Sequence, residues 1–235
     1  MSELDPRLAA IAGLIPFGSR VADIGTDHAL LPVSLVKTGR ASLVVATDLN
    51  EKPYQTALHH VLEAGVNGQV EVRRGDGLEP LRPGEVDVVV IAGMGGNTMA
   101  GVLERSPEVL AGVTRLVLQP MSDPGDLRLW LVHSGWRLAD EELVRDDGKF
   151  YIIIAAEPGE EPCRDGFMLE IGPVLLEKCS PYLVEYLEKI KGDYQRVLSG
   201  LARSRSDEAM DKAIALTSRL ARITEVISRC RQGAV

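Results

Sequence analysis

The hydrophobic positions of this chain change rhythm twice. Over its first half, short and nearly unbroken apolar runs rich in β-branched residues recur at 21–24, 42–47, 70–72, 86–92 and 115–119. Such runs suit strands covered on both faces, as in a parallel sheet. Amphipathic stretches at about 29–38, 51–65, 97–110 and 124–134 separate or follow them and predict helices. The alternation predicts an α/β fold with a doubly wound sheet. The rhythm then shortens. Residues 136–144 and 149–156 are two strand-like runs joined by Arg145-Asp146-Asp147-Gly148, and Asp-Gly between apolar runs signals a hairpin. A segment rich in Pro, Gly and Glu at 157–162 marks a boundary.

Beyond it the period is helical. Leu183, Leu187, Ile190, Tyr194, Val197 and Leu201 form one stripe with alternating steps of four and three; Ala213, Leu216, Leu220, Ile223, Ile227 and Cys230 form a second. Two heptad stripes with Ser206 as an N-cap between them predict an antiparallel, coiled-coil α-helical hairpin. The expected domains are therefore 1–159, carrying the sheet, and 160–235, carrying the hairpin.

Composition narrows the class of protein. Hydrophobic residues make up 45% and charged residues 26%, ordinary for a globular protein. No run approaches the roughly 20 apolar residues of a membrane span. The first residues, MSELDPRL, lack the basic and apolar segments of a signal peptide, so a cytoplasmic location is expected. Cys163, Cys179 and Cys230 are far apart and form no Cys-x-x-Cys or Cys/His cluster, so neither a disulfide framework nor a metal site is expected. The net charge of −8 is not that of a simple basic nucleic-acid binder, yet residues 201–235 hold 7 basic against 4 acidic side chains.

The chemistry gathers where strands end. Strand one ends in Asp23-Ile24-Gly25-Thr26-Asp27-His28. A glycine turn there lets backbone N–H groups approach a ligand. No second glycine follows until Gly39, so the G-x-G-x-x-G of a nicotinamide-dependent dehydrogenase is missing. A carboxylate at this point suits a cationic ligand, and S-adenosylmethionine, with its sulfonium and α-ammonium, is one; Asp23 with Gly25 and Thr26 would hold its amino-acid part. Strand two ends in Asp48-Leu49-Asn50, where Asp48 suits ribose hydroxyls and Leu49 an adenine face. Strand three leads into Gly75-Asp76-Gly77, placing Asp76 to meet an adenine amino group, and strand four ends in Gly93-Met94-Gly95-Gly96, a turn able to curve tightly beside a ligand. Each motif alone is weak. Their succession at strand C-termini carries the reading.

Asp23-Ile-Gly-Thr-Asp-His28 with Leu31-Pro32, Gly75-Asp-Gly-Leu78, Ile91-Ala-Gly-Met-Gly-Gly96, Leu118-Gln-Pro120 and Asp147-Gly-Lys-Phe-Tyr151 together resemble the TrmK family of bacterial tRNA (adenine-N1)-methyltransferases, which modify adenosine 22 of the tRNA D-arm. The resemblance spans nearly the whole chain. It implies a Rossmann-like class I methyltransferase fold, S-adenosylmethionine as donor and tRNA as acceptor. The helical hairpin is the expected platform for the RNA, and no obligate protein partner is inferred. Adenine N1 carries the attacking lone pair, so positioning is the main task, followed by stabilisation of a cationic product. Asp27 and His28 are nominated for that catalytic role, His28 because an unperturbed imidazole titrates near neutrality. Arg7, Arg196, Arg203 and Arg205 are the expected phosphate contacts. Two other readings stand beside this one: a class I methyltransferase for a different RNA or a small molecule, and a non-catalytic interaction protein with a vestigial methyltransferase domain.

Overall fold

The structure is a computed structural model describing residues 4–201 and 206–232. In chain order its elements are α1 (Pro6–Gly13), β1 (Ser19–Ile24), α2 (Leu30–Lys37), β2 (Ala41–Asp48), α3 (Glu51–Glu63), β3 (Val70–Arg74), β4 (Val88–Gly95), α4 (Gly96–Glu104), α5 (Pro107–Leu110), β5 (Arg115–Ser122), α6 (Pro124–His133), β6 (Trp136–Asp146), β7 (Lys149–Pro158), α7 (Gly166–Ile171), α8 (Pro173–Glu177), α9 (Leu183–Leu201) and α10 (Asp207–Arg231).

The strands form one sheet in the order β3-β2-β1-β4-β5-β7-β6. The pairs β3–β2, β2–β1, β1–β4 and β4–β5 are parallel, and β7 runs antiparallel to both β5 and β6. The chain leaves β1 in one direction along the sheet and returns to β4 on its other side, so the order reverses between β1 and β4. Right-handed crossovers then place α2 and α3 on one face and α4 and α6 on the other. On the first face Ile11 and Ile15 of the α1 segment, Leu35, Ala57 and Val61 share a buried core with Val44, Val90, Val117 and Ile153. On the second, α4 and α6 pack together and against β4, β5 and β6, burying Leu103, Leu127 and Leu131 completely. All five parallel strands end at one sheet edge. Because β6 runs in their direction, the β6–β7 turn also lies there.

The expected hairpin forms, closed by Asp147 and Gly148 at φ 44° and 72°, the paired left-handed residues that match the twist of flanking strands. The helix expected over 97–110 is two helices, because the residue before Pro107 resists helical geometry. Helix α1 was not read from the sequence, although Asp5-Pro6 is a helix-start signal: Pro6 occupies the first turn and Asp5 Oδ1 accepts from the Leu8 N–H at 2.7 Å.

The described residues form two compact units that divide between Gly172 and Pro173, whereas the sequence placed the division at 159/160. The intervening residues are stitched to the sheet unit. Buried Glu161 accepts from the N–H groups of Leu138 and Cys163 at 2.7 and 2.9 Å. Arg128, fully buried and paired with Glu141 at 2.6 Å, also donates to the carbonyls of Leu169 and Glu170 in α7, both at 3.1 Å. In the second unit α9 and α10 form an antiparallel hairpin, with Leu183, Leu187, Leu216, Ile223 and Ile227 buried and Arg231 paired with Glu188 at 3.0 Å. Ser206 caps α10 by accepting from the Ala209 N–H at 3.2 Å. The heptad seam does not continue along α9, where Val197 is 45% exposed.

Candidate functional site

Beyond β1 the chain makes a short, over-determined loop. Gly25 takes φ 74°, and the N–H groups of Gly25 and Thr26 both donate to the Thr47 carbonyl, at 2.8 and 3.0 Å. Thr26 Oγ1 turns back to donate to Asp23 Oδ2 at 2.6 Å. Asp27 and Ala29 hold left-handed φ values of 50° and 53°. That conformation costs a residue with a Cβ about 1–2 kcal/mol, and the surrounding hydrogen bonds must hold it. One comes from α3: His60 Nδ1 lies 2.7 Å from the His28 carbonyl oxygen. Another links the loop to the next strand, where the Asp27 N–H reaches Asp48 Oδ2 at 3.4 Å.

Two cavities flank this loop at the sheet edge. The smaller, about 280 Å³, is lined by Asp23, Gly25, Thr26, Asp27, Leu30 and Leu31 with Arg7 and Leu8 from α1. The larger, about 540 Å³, is lined by Gly25, Asp48, Leu49, Asp76, Gly77, Gly93 and Met94 and by one face of α4. Gly25, Ala92 and Gly93 border both, so the cavities meet where the strand order reverses, the place where open α/β sheets hold ligands. A side chain at Gly25 would set its Cβ 2.5 Å from Met94 Cε, and one at Gly77 would meet Val102 Cγ1 at 2.8 Å. Both glycines are close-approach positions.

Most cofactor residues expected from the sequence converge here: Asp23, Gly25 and Thr26 on the smaller cavity, Asp48, Leu49, Asp76, Gly77, Gly93 and Met94 on the larger. Gly95 lies outside both. It precedes α4, and its missing Cβ admits Ser122 Oγ, which would be 3.1 Å away. Asp27 lines the smaller cavity, but His28 lines neither; its side chain is 59% exposed, with Nε2 3.5 Å from Asp27 Oδ2. Arg7 is turned inward, donating to Gln119 Oε1 at 3.0 Å beside the smaller cavity. Arg196 lies exposed on α9 and pairs with Asp193. Arg203 and Arg205 lie outside the described residues.

Two contributors went unread. Asn97, Thr98, Gly101, Val102 and Arg105 line the larger cavity from one face of α4; their spacing of about four after the glycine turn was the available signal. Arg105 also reaches Asp76 Oδ2 at 3.2 Å. The second is Gln119, fully buried, which orients Arg7 from the end of β5.

The electrostatics single out Asp23. Burial pushes its carboxyl up to about 6 against the opposing hydrogen bond from Thr26, and the nearby Asp48 charge adds to the rise. A buried carboxylate poised between protonation states accepts a cationic group with gain, because the cation restores the charge that burial disfavours. With glycine-lined backbone on one side and two further carboxylates at the next strand ends, the donor set fits a nucleoside bearing a positively charged amino-acid arm.

Comparison with known proteins follows the same line. Residues 4–154 match a family model described as a methyltransferase domain. The chain is 37% identical over 195 residues to a tRNA (adenine(22)-N(1))-methyltransferase of Bacillus subtilis, covering 80% of this chain and 82% of that protein. The crystal structure of the B. subtilis M1A22 tRNA methyltransferase TrmK superposes with a TM-score of 0.90 at 32% identity, covering 97% of this chain and 100% of the other. A Streptococcus pneumoniae structure, assigned as a candidate tRNA (m1A22) methyltransferase and solved in complex with S-adenosyl-L-methionine, superposes at 0.86 with 31% identity, covering 96% and 100%.

Proposed function

The chain belongs to the tRNA (adenine(22)-N(1))-methyltransferase family, and from that premise we propose that it transfers a methyl group from S-adenosylmethionine to N1 of adenosine 22 in tRNA. The observation that carries the reading is the series of carboxylates Asp23, Asp48 and Asp76 at three successive strand ends around two joined cavities.

Bound S-adenosylmethionine supplies a methyl group on a sulfonium. Asp23 holds the α-ammonium of its amino-acid arm. Arg7, fixed by Gln119 on the rim of the same cavity, takes the α-carboxylate in preference to an RNA phosphate, since a planar guanidinium matches that group. Asp48 accepts from the ribose hydroxyls and Asp76 from the adenine amino group, with Leu49 and Val102 against the ring. The borders shared by the cavities, Gly25 and Gly93, let the backbone lie close to the reacting centre. The acceptor base enters unstacked. Its N1 lone pair attacks the methyl carbon, and the C–S bonding pair stays on sulfur. The base then bears the positive charge until N6 releases a proton. Asp27, on the smaller cavity, stabilises that charge, and His28 acts through Asp27.

The charge distribution supports RNA binding by the second unit. Residues 1–172 hold 15 basic against 26 acidic side chains, and residues 173–235 hold 11 against 8. Phosphate attraction therefore favours the hairpin unit. Among the described residues no helix is long and apolar enough to cross a membrane, and a tRNA acceptor supports a cytoplasmic location.

The test is methyl transfer from labelled S-adenosylmethionine to unmodified bacterial tRNA, with the product nucleoside identified and located. One-methyladenosine at position 22 is expected. A different nucleoside, or no transfer by protein that binds the donor, would overturn the acceptor assignment and favour the reading as a methyltransferase of another RNA or a small molecule.

A further inference from the structure

Asp147-Gly-Lys-Phe-Tyr151 is a motif that the cofactor site leaves unused. It forms the turn and first residues of β7, and the direction of β6 brings it to the sheet edge where both cavities open. Alternate β7 residues share a face. On the α1 face, Ala155 and Ile153 are fully buried, Tyr151 is half-buried and Lys149 is exposed. This face therefore leads outward from the core to solvent. Arg7 connects it to the cofactor cavity: the residue lines that cavity, and its guanidinium lies 5.7 Å from the centroid of the Tyr151 ring. Lys149 is two residues further out, about 7 Å along the strand.

Charge separates Lys149 from its surroundings. Most arginines of the sheet unit are paired with carboxylates, among them Arg20 with Asp87, Arg73 with Glu85, Arg74 with Glu51 and Arg115 with Glu157. Lys149 has no ion-pair partner among the described residues, although Asp146 is its register partner across the hairpin. Asp146 and Asp147 cancel the net charge of the turn, so it offers one local contact and no long-range attraction.

We propose that the β6–β7 turn is an acceptor-binding element for the RNA, in which Tyr151 stacks on a nucleotide at the cavity mouth and Lys149 holds an adjoining phosphate. A free ammonium at the rim and an aromatic ring one step inward, beside the cofactor cavity, are the two groups a splayed-out nucleotide needs. This rests on the tRNA methyltransferase reading and adds a contact surface distinct from the helical hairpin.

The test uses the full chain and unmodified tRNA, with Lys149→Ala, Tyr151→Phe, Tyr151→Ala and Tyr151→Leu. Donor affinity, measured first, is unchanged in Lys149→Ala and Tyr151→Phe; for Tyr151→Ala and Tyr151→Leu, which lose the ring beside Arg7, KM for tRNA is measured at saturating donor. Tyr151→Leu preserves apolar packing if Tyr151→Ala fails to fold. Loss of the stacked ring raises KM for tRNA about tenfold, and Tyr151→Phe restores it. Lys149→Ala weakens tRNA binding and lowers the slope of log affinity against log salt by about one. A wild-type enzyme that methylates tRNA, with Lys149→Ala and Tyr151→Leu leaving KM and salt slope unaltered, overturns this proposal alone. A wild-type protein that methylates no tRNA overturns the function and this proposal together.

Discussion

Replacing Asp23 by Asn tests the link between the energetics of the site and its chemistry. Asp23 is only 5% exposed and titrates at about 6 instead of 3.8. The folded state thus binds this proton more tightly than the unfolded chain does. Stability linked to Asp23 is therefore fully present below the unfolded value, declines as pH rises through the folded one, and is constant above. A rise of this size costs the fold about 3 kcal/mol near pH 7. Asparagine keeps an oxygen to accept from the Thr26 hydroxyl but brings an amide N–H needing a partner, a penalty of about 1 kcal/mol. The net expectation is stabilisation by about 2 kcal/mol near neutrality, or roughly 4–8 °C for a unit of this size. As the pH falls below about 4, where wild-type Asp23 is protonated in both states, the gain vanishes while the amide penalty of about 1 kcal/mol remains, so the order of stabilities reverses. Donor binding moves oppositely. Wild-type affinity falls towards tenfold per pH unit below about 6, because the carboxyl must first lose its proton; Asp23→Asn binds more weakly and without that dependence. Thermal unfolding across pH, with titration calorimetry in two buffers to count released protons, measures both. An Asp23→Asn protein no more stable than wild type near pH 7, or wild-type donor affinity flat between about pH 5 and 7, refutes the reasoning.

Three further outcomes are expected. Glu141→Gln leaves the fully buried Arg128 guanidinium without its counter-charge and lowers stability by about 3 kcal/mol, with donor affinity unchanged; denaturant unfolding and calorimetry check it. His60→Asn, whose amide nitrogen can replace Nδ1 towards the His28 carbonyl, retains donor affinity, whereas His60→Gln and His60→Ala lose it several-fold; equal affinities in all three would remove His60 from the support of the loop. A chain ending at Gly172, where the first compact unit closes, keeps donor binding by calorimetry and loses tRNA binding by gel shift, while unaltered tRNA binding would relocate the RNA contacts to the sheet unit.

Much of the fold was legible because burial on both faces leaves a plain trace. Runs such as Val86–Ala92 can be strands of a covered parallel sheet, and the Asp147-Gly148 turn announces its hairpin. Short amphipathic pieces were harder. Helix α1 spans 8 residues, and its buried face amounts to Ile11 with help from Leu14 and Ile15 just beyond it, too little periodicity to outweigh a loop. The division between units is expected at 159/160 and falls at 172/173 for a different reason. Residues 160–172 are held by Glu161, Arg128 and Glu141, polar groups that pattern reading assigns to solvent, and only the tertiary structure shows them buried and paired.

In the site, residues whose place depends on strand position were readable, and residues whose place depends on side-chain direction were not. Asp23, Asp48 and Asp76 follow from the rule that ligands lie at strand C-termini, so their order along the chain became their order around the cavities. Arg7 looks like any surface arginine in sequence; its inward course depends on Gln119, 112 positions away. His60 looks like a helix-surface histidine, yet it reaches the loop where Gly25, Asp27 and Ala29 hold left-handed φ. These long-range contacts explain how the strained loop persists. Thr47 and Asp48 of β2 and His60 of α3 fix it from two elements, so relaxing Asp27 or Ala29 would break bonds that no neighbouring residue could remake. The same constraint holds Thr26 over Asp23, keeping a buried carboxyl in a place where it weakens the fold unless a cation joins it.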